Sequence, residues 1–287
     1  MRLTCLLFPL LFAAPLLTLS GQESKLPAIG VVTDLENAEL LAAAGFSYVL
    51  ESTQRILSPR RVSEAEFAEY QRKSQDMAIP LYGSNLFIPG ELKVVGPNVD
   101  EEAILGYVDT VLRRAQALDL TVITWGSCGS RSLPDGFSRV RATAQFIHLA
   151  GRVAEVAGRY GITLVLENLN STECNFITSV PEALAVVRAV DHPNLRLCVD
   201  IYHMLKDKQP ASDIRGVGEY AVYSEIAERK DRTAPGVRGD DFTPYLRALK
   251  EEGYTGNLML ECRWDDLAEQ APAAYAELYR QVASVYR

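Results

Sequence analysis

Leu164-Val165-Leu166-Glu167 is an apolar, β-prone run closed by an acid, and related runs follow at Leu197-Cys198-Val199-Asp200, Tyr223-Ser224-Glu225-Ile226-Ala227 and Leu258-Met259-Leu260-Glu261. A carboxylate that closes a buried strand is costly unless something neutralises it. Four of them at strand-helix spacing point to one shared cation. Outward from these runs, short apolar segments alternate with longer amphipathic ones. Strands are expected over residues 29–34, 48–51, 79–83, 120–126, 162–167, 195–200, 221–227 and 257–262. Helices are expected over 39–44, 64–77, 101–117, 140–159, 181–190, 242–251 and 271–285, with the weakest pattern after strand six. Regular alternation makes the strands parallel, because each return crossing needs a helix. Eight such units predict a single (β/α)8 barrel. An open doubly wound sheet is the rival, but no GxGxxG follows the first strand and the acids spread over strands five to eight instead of one switch point.

A chain of 287 residues, 48% of them hydrophobic, is long enough to bury one large core. With 29 basic against 37 acidic residues its formal charge is −8, which argues against a surface that tracks phosphate backbones, so no nucleic-acid partner is expected. Residues 1–21 are of a different kind: Arg2, an apolar run to Leu19, then Ser20 and Gly21 ahead of polar Gln22-Glu23-Ser24. That order is a secretory signal peptide, with an uncleaved anchor disfavoured by Pro9 and Pro15. The expected product is an exported barrel domain over 22–287, periplasmic or extracellular and off the membrane once the signal is cleaved. Loss of Cys5 leaves four cysteines whose spacing fits neither a zinc motif nor a CxxC pair. By alternation Cys198 points inward with Asp200, whereas Cys262 has the parity opposite to Glu261, so both are read as buried free thiols. Cys128 and Cys174 fall in loops, where a disulfide remains open in an oxidising compartment.

Barrel enzymes place their chemistry at the C-terminal rim, where all four acids lie. Two rim loops, Leu86-Phe87-Ile88-Pro89-Gly90-Glu91 and Gly126-Ser127-Cys128-Gly129-Ser130-Arg131, have the length to wall a pocket. Carboxylates with open positions suit Mn2+ or Mg2+, with Co2+ also able to bind.

Within 162–264 stand Leu166-Glu167-Asn168, Asp200-Ile201-Tyr202-His203, Arg232-Thr233-Ala234-Pro235-Gly236 and Gly253-Tyr254-Thr255-Gly256 leading to Leu260-Glu261. With these pieces the segment resembles the xylose isomerase-like barrel superfamily, in particular its sugar isomerase/epimerase group with the ketose 3-epimerases and inosose dehydratases. Looser likeness extends to Trp125-Gly126-Ser127 and Pro134-Asp135-Gly136-Phe137. The resemblance implies that Glu167, Asp200 and Glu261 are metal ligands, that Glu167 and Glu261 double as acid/base groups on opposite faces of the substrate, that His203 hydrogen-bonds the substrate, and that Arg232 holds its oxygens near the metal. The group usually carries His-x-His on strand seven with the second histidine on the metal; here the stretch reads Tyr223-Ser224-Glu225. A glutamate there adds one negative charge, favouring a harder ion and weakening electrophilic pull. Alternation favours Glu225 over Glu228 as the fourth ligand.

The implied activity is an isomerase or epimerase of a carbohydrate or polyol that transfers a proton through a metal-stabilised enediolate. Two alternatives share the site: a lyase or dehydratase, if a leaving group departs in place of reprotonation, and a non-catalytic sugar-binding barrel, which the Glu225 substitution keeps open. A DNA-repair endonuclease of the same barrel type would need many histidines for a trinuclear cluster, and the chain has three. Among other residues, His192 is read as a turn residue at the opposite rim, His148 as a helix surface or packing residue, Arg131 as an anion-binding or loop salt-bridge residue, and Glu51 as pocket wall. The oligomeric state is not readable.

Overall fold

The structure, a computed structural model, describes residues 26–287, so the expected signal segment 1–21 lies outside the described residues. Eight parallel strands close into a barrel in sequence order, β8 pairing back onto β1. They are β1 Ile29–Val32, β2 Tyr48–Ser52, β3 Leu81–Asn85, β4 Val122–Trp125, β5 Thr163–Glu167, β6 Leu195–Asp200, β7 Ala221–Ile226 and β8 Asn257–Leu260. Ten α-helical segments intervene: α1 Ala38–Ala44, α2 Thr53–Ile56, α3 Glu64–Gln75, α4 Glu101–Ala117, α5 Cys128–Arg131, α6 Arg139–Tyr160, α7 Val180–Val190, α8 Ile201–Lys206, α9 Thr243–Glu251 and α10 Leu267–Tyr286. The (β/α)8 barrel expected from the alternation is therefore the observed fold. No described helix is long and apolar enough to cross a membrane.

Strand alternation builds two cores. Outward-facing residues such as Leu164, Leu166, Leu197 and Leu260 pack under the helices, while the lumen is filled by Tyr48, Leu50, Val122, Val165, Cys198, Tyr223 and Met259. Val165, Cys198, Tyr223 and Met259 each precede one of the four acids by two residues. With a side-chain period of two, the acids must stand directly above this apolar layer, on the C-terminal rim. Cys198 is accordingly a lumen thiol and Cys262 packs on the outer core, as parity requires.

Boundaries differ from the sequence expectation in two instructive places. The third strand begins at Leu81 rather than at 79, because Pro80 has no N–H to give the ladder; only its carbonyl takes part, accepting from Val49 N at 3.0 Å. At its other end the strand runs to Asn85, two residues past the expected 83, which places Asn85 at the rim. The last helix starts at Leu267, four residues before the expected 271, where Asp266 caps it by accepting from Glu269 N at 3.1 Å.

Candidate metal and substrate site

Glu167, Asp200, Glu225 and Glu261 each bring a carboxylate oxygen to a common point, the four oxygens lying within 4.8 Å of one another. Adjacent strands set this convergence: Asp200 is level with Glu225 across the β6–β7 pair, and Glu261 continues the β7–β8 ladder through its N–H to Ile226 O at 3.2 Å. Gly126 makes room on the far side, since a methyl there would run into Oε2 of Glu167.

Each acid is fixed by a different partner. Asp200 Oδ1 caps α8 by accepting from His203 N at 2.9 Å, which leaves Oδ2 3.4 Å from His203 Nε2 and without a hydrogen bond among the described residues; the backbone of Asp200 is clamped from both sides by the Asn168 amide, at 3.0 and 3.1 Å. Glu167 Oε1 pairs with His203 Nε2 at 3.1 Å. Asn170 Oδ1 accepts two backbone N–H groups, so its amide nitrogen faces His203 Nδ1 at 2.8 Å and Nε2 is the nitrogen that donates to Glu167. Glu225 Oε1 accepts from Thr124 Oγ1 at 3.3 Å, and its Oε2 has no partner among the described residues. Glu261 Oε1 accepts from Asn85 Nδ2 at 2.8 Å and Oε2 from the Arg232 guanidinium. Arg232 sits at φ 57° and lies over the Tyr202 ring at 4.5 Å.

The charges do not balance. Burial and the charges of Glu167 and Glu261 push the Glu225 carboxyl well above the usual range, and burial raises Asp200 to about 7. Burial also raises Glu261, against the pull of Arg232. In Glu167 the His203 hydrogen bond and charge overcome burial and lower the pKa. Burial favours the neutral His203 ring, against the upward pull of Asp200 and Glu167; the Asn170 amide nitrogen facing Nδ1 suits the neutral ring, whose Nδ1 accepts. Among the described residues four carboxylates face Arg232 and His203, with Arg131 behind Glu167, and Asp200 Oδ2 and Glu225 Oε2 have no hydrogen bond. A hard divalent cation fits this donor set: it takes oxygen ligands and supplies the missing charge.

The remaining candidates fall elsewhere. Glu228 points into the loop after β7, where its oxygens accept from Thr233 Oγ1 and from the backbone N–H groups of Gly236, Arg238 and Gly239 at 2.6 to 2.9 Å. Arg131 pairs with no acid among the described residues: it is fully buried and donates to the carbonyls of Trp125 and Glu167 at 3.0 and 2.7 Å, locking the ends of β4 and β5 together. Burial pulls its pKa down to about 10. Glu51 lines a rim cavity while capping Ser52 N and Leu35 N. His192 turns the chain at the opposite rim through Asn194 N, and His148 is an exposed α6 residue beside Glu101. Cys128 and Cys174 are joined in a disulfide with a Cα separation of 5.5 Å. Asn85, Thr124 and Asn170 were not singled out by sequence; only Asn170, two residues beyond the Glu167-Asn168 motif, lay close to a signal.

Residues 38–283 match the xylose isomerase-like TIM barrel family. Over 112 residues, 39% of this chain and 38% of the relative, the sequence is 34% identical to a ketose 3-epimerase of Arthrobacter globiformis. Over 169 residues, 56% of this chain and 58% of the relative, it is 30% identical to an L-ribulose 3-epimerase of Methylomonas sp.. The chain thus matches about two fifths to three fifths of these relatives' length. A solved L-ribulose 3-epimerase superposes with a TM-score of 0.75 at 19% identity, covering 90% of this chain and 95% of the other, a likeness of fold.

Proposed function

Since the chain belongs to the xylose isomerase-like TIM barrel family, we propose that it is an exported, divalent-cation-dependent isomerase or epimerase of a carbohydrate or polyol. The observation that carries this reading is the convergence of four carboxylates, three buried and Glu261 half-buried, whose oxygens lie within 4.8 Å, with an oxygen each of Asp200 and Glu225 lacking a hydrogen bond among the described residues. Glu167, Asp200, Glu225 and Glu261 would hold the cation, Mn2+, Mg2+ or Co2+. When bound, it would polarise a carbonyl and its neighbouring hydroxyl and so acidify the C–H between them.

The protein's own groups would do the rest. Glu167 and Glu261 stand on β5 and just beyond β8, separated by the two strands that carry Asp200 and Glu225, and so approach a bound sugar from different sides. His203 favours the ionised form of Glu167, which suits it to take a proton at a carboxylate oxygen. Glu261, across the site, would return a proton that it has received at a carboxylate oxygen on the other face of the sugar. Return to the same carbon inverts it; return to the next carbon isomerises the sugar. Arg232, held on Glu261 and stacked on Tyr202, is placed to grip sugar oxygens, and His203 would reach the sugar only by sharing the Nε2 proton that it now gives to Glu167. The Cys128–Cys174 bridge supports export, because such bonds persist in oxidising compartments.

The test is NMR of keto sugars incubated with the Mn2+-loaded protein in deuterated water. Deuterium entering at the carbon beside the carbonyl, with an epimer or isomer formed, is expected. Loss of water from the sugar would establish the lyase alternative, and tight sugar binding with no exchange would establish the binding-protein alternative.

A further inference from the structure

We propose that the substrate is a glycosylated keto sugar, its ketose portion at the four acids and its second sugar unit in a cavity over the ends of β1 to β4. This rests on the isomerase or epimerase reading and names the substrate class of that site. The cavity has a volume of about 720 Å³. A free six-carbon ketose fills on the order of 200 Å³, taking for each of its heavy atoms about half of a water molecule's liquid volume of about 30 Å³. The four acids do not line this cavity, so the whole of it is open to the second ring, which is of about the same size.

Two chain segments join the cavity to the acids. Asn85 holds Glu261, and the next residue, Leu86, lines the cavity; Gly126 faces Glu167, and the next residue, Ser127, lines it too. The walls are equipped for a neutral polyol. Gln54 Nε2 donates to Leu86 O, Phe87 O and the Tyr107 hydroxyl at 2.9 to 3.2 Å, which leaves Oε1 without a partner, and Ser127 Oγ likewise has none among the described residues. Neither oxygen is open to the cavity as it stands, and a turn of either side chain toward it would gain the bond that a sugar hydroxyl supplies. Leu86 is 50% exposed and sits at φ 53°, an uncommon conformation for a leucine, so the loop spends backbone strain to hold an apolar side chain at the mouth. The C–H face of a sugar ring is its natural cover. Against Arg55, which is committed to Asp34 and Glu36, and Arg61, the walls carry Asp34, Glu51 and Glu91, which disfavours a phosphate on the distal unit.

Calorimetry of the Mn2+-loaded protein with fructose, isomaltulose (glucosyl on O6) and lactulose (galactosyl on O4) tests the proposal. At least one disaccharide is expected to bind about tenfold tighter than fructose or better, the gain from one or two hydrogen bonds that satisfy buried oxygens. Leu86→Asp, a residue tolerant of positive φ, and Gln54→Leu should each shrink that preference. Fructose binding as tightly as both disaccharides overturns the proposal while leaving epimerase chemistry intact. Deuterium exchange on none of the three overturns the enzymatic reading, and a preserved disaccharide preference would then still uphold the distal sugar site.

Discussion

Gly126→Ala is the sharpest probe of how the barrel positions Glu167. A methyl added there stands 2.5 Å from Glu167 Cδ and 3.3 Å from its Cβ, and overlaps Oε2 outright. Ordinary carbon contacts need roughly 3.5 Å, so the carboxylate must retreat by about 1 Å. It cannot take its backbone along, because Arg131 pins the Glu167 carbonyl at 2.7 Å. The retreat therefore falls on the side chain and strains the His203 contact at 3.1 Å. A displacement of that size in a reacting group costs about 100-fold in kcat/KM, equivalent to about 2.7 kcal/mol. Overpacking removes about 1–3 kcal/mol of folding stability from a total of about 5–15 kcal/mol, so the barrel persists. The assay is deuterium exchange into a keto sugar, with cation affinity by calorimetry and circular dichroism as the fold check. Gly106→Ala is the control, since a methyl there meets nothing within 4 Å. A Gly126→Ala protein with wild-type cation affinity and exchange rate would refute this placement of Glu167.

Glu225→His, which restores the imidazole usual on strand seven, should shift calorimetric preference from Mg2+ toward Co2+ by about tenfold or more, and an unchanged ratio would remove Glu225 from the ligand set. The cation-free fold holds protons on Asp200 and Glu225 that the unfolded chain has released, so this contribution is full below the unfolded values of 3.8 and 4.5 and is lost as pH rises, through about 7 for Asp200. The Tm gain from saturating Mn2+ should consequently grow between pH 5 and 8, with protons released on binding; a pH-independent gain would contradict the buried-carboxylate account. Replacing both Cys128 and Cys174 by alanine should lower urea-measured stability by about 4 kcal/mol, the loop-closure value for a separation of 46 residues, and an unchanged midpoint would show that the bridge constrains nothing.

The fold was legible because period-two runs and amphipathic helices alternate without a linker, and the convergence of the acids was legible because parity places residues 167, 200, 225 and 261 on one side of their strands. Glu228 shows the same logic from the other side: three residues past Glu225, it turns to backbone N–H groups in its own loop. What escaped depends on contacts between distant segments. Asn85 reaches Glu261 across 176 positions, and a strand expected to end at 83 hid it. Arg131 looked like an anion-binding loop residue because its charge was visible and the carbonyls that claim it were not. Gln54 and Ser127 carry no motif; their significance lies in oxygens left unpaired by the packing around them.

The account stands or falls on whether four acids share one ion. Anomalous diffraction from crystals of the chain grown with Mn2+ measures this directly. The prediction is a single peak with oxygens of Glu167, Asp200, Glu225 and Glu261 all within about 2.5 Å of it. No peak among these side chains, or a peak that Glu225 does not touch, would contradict it.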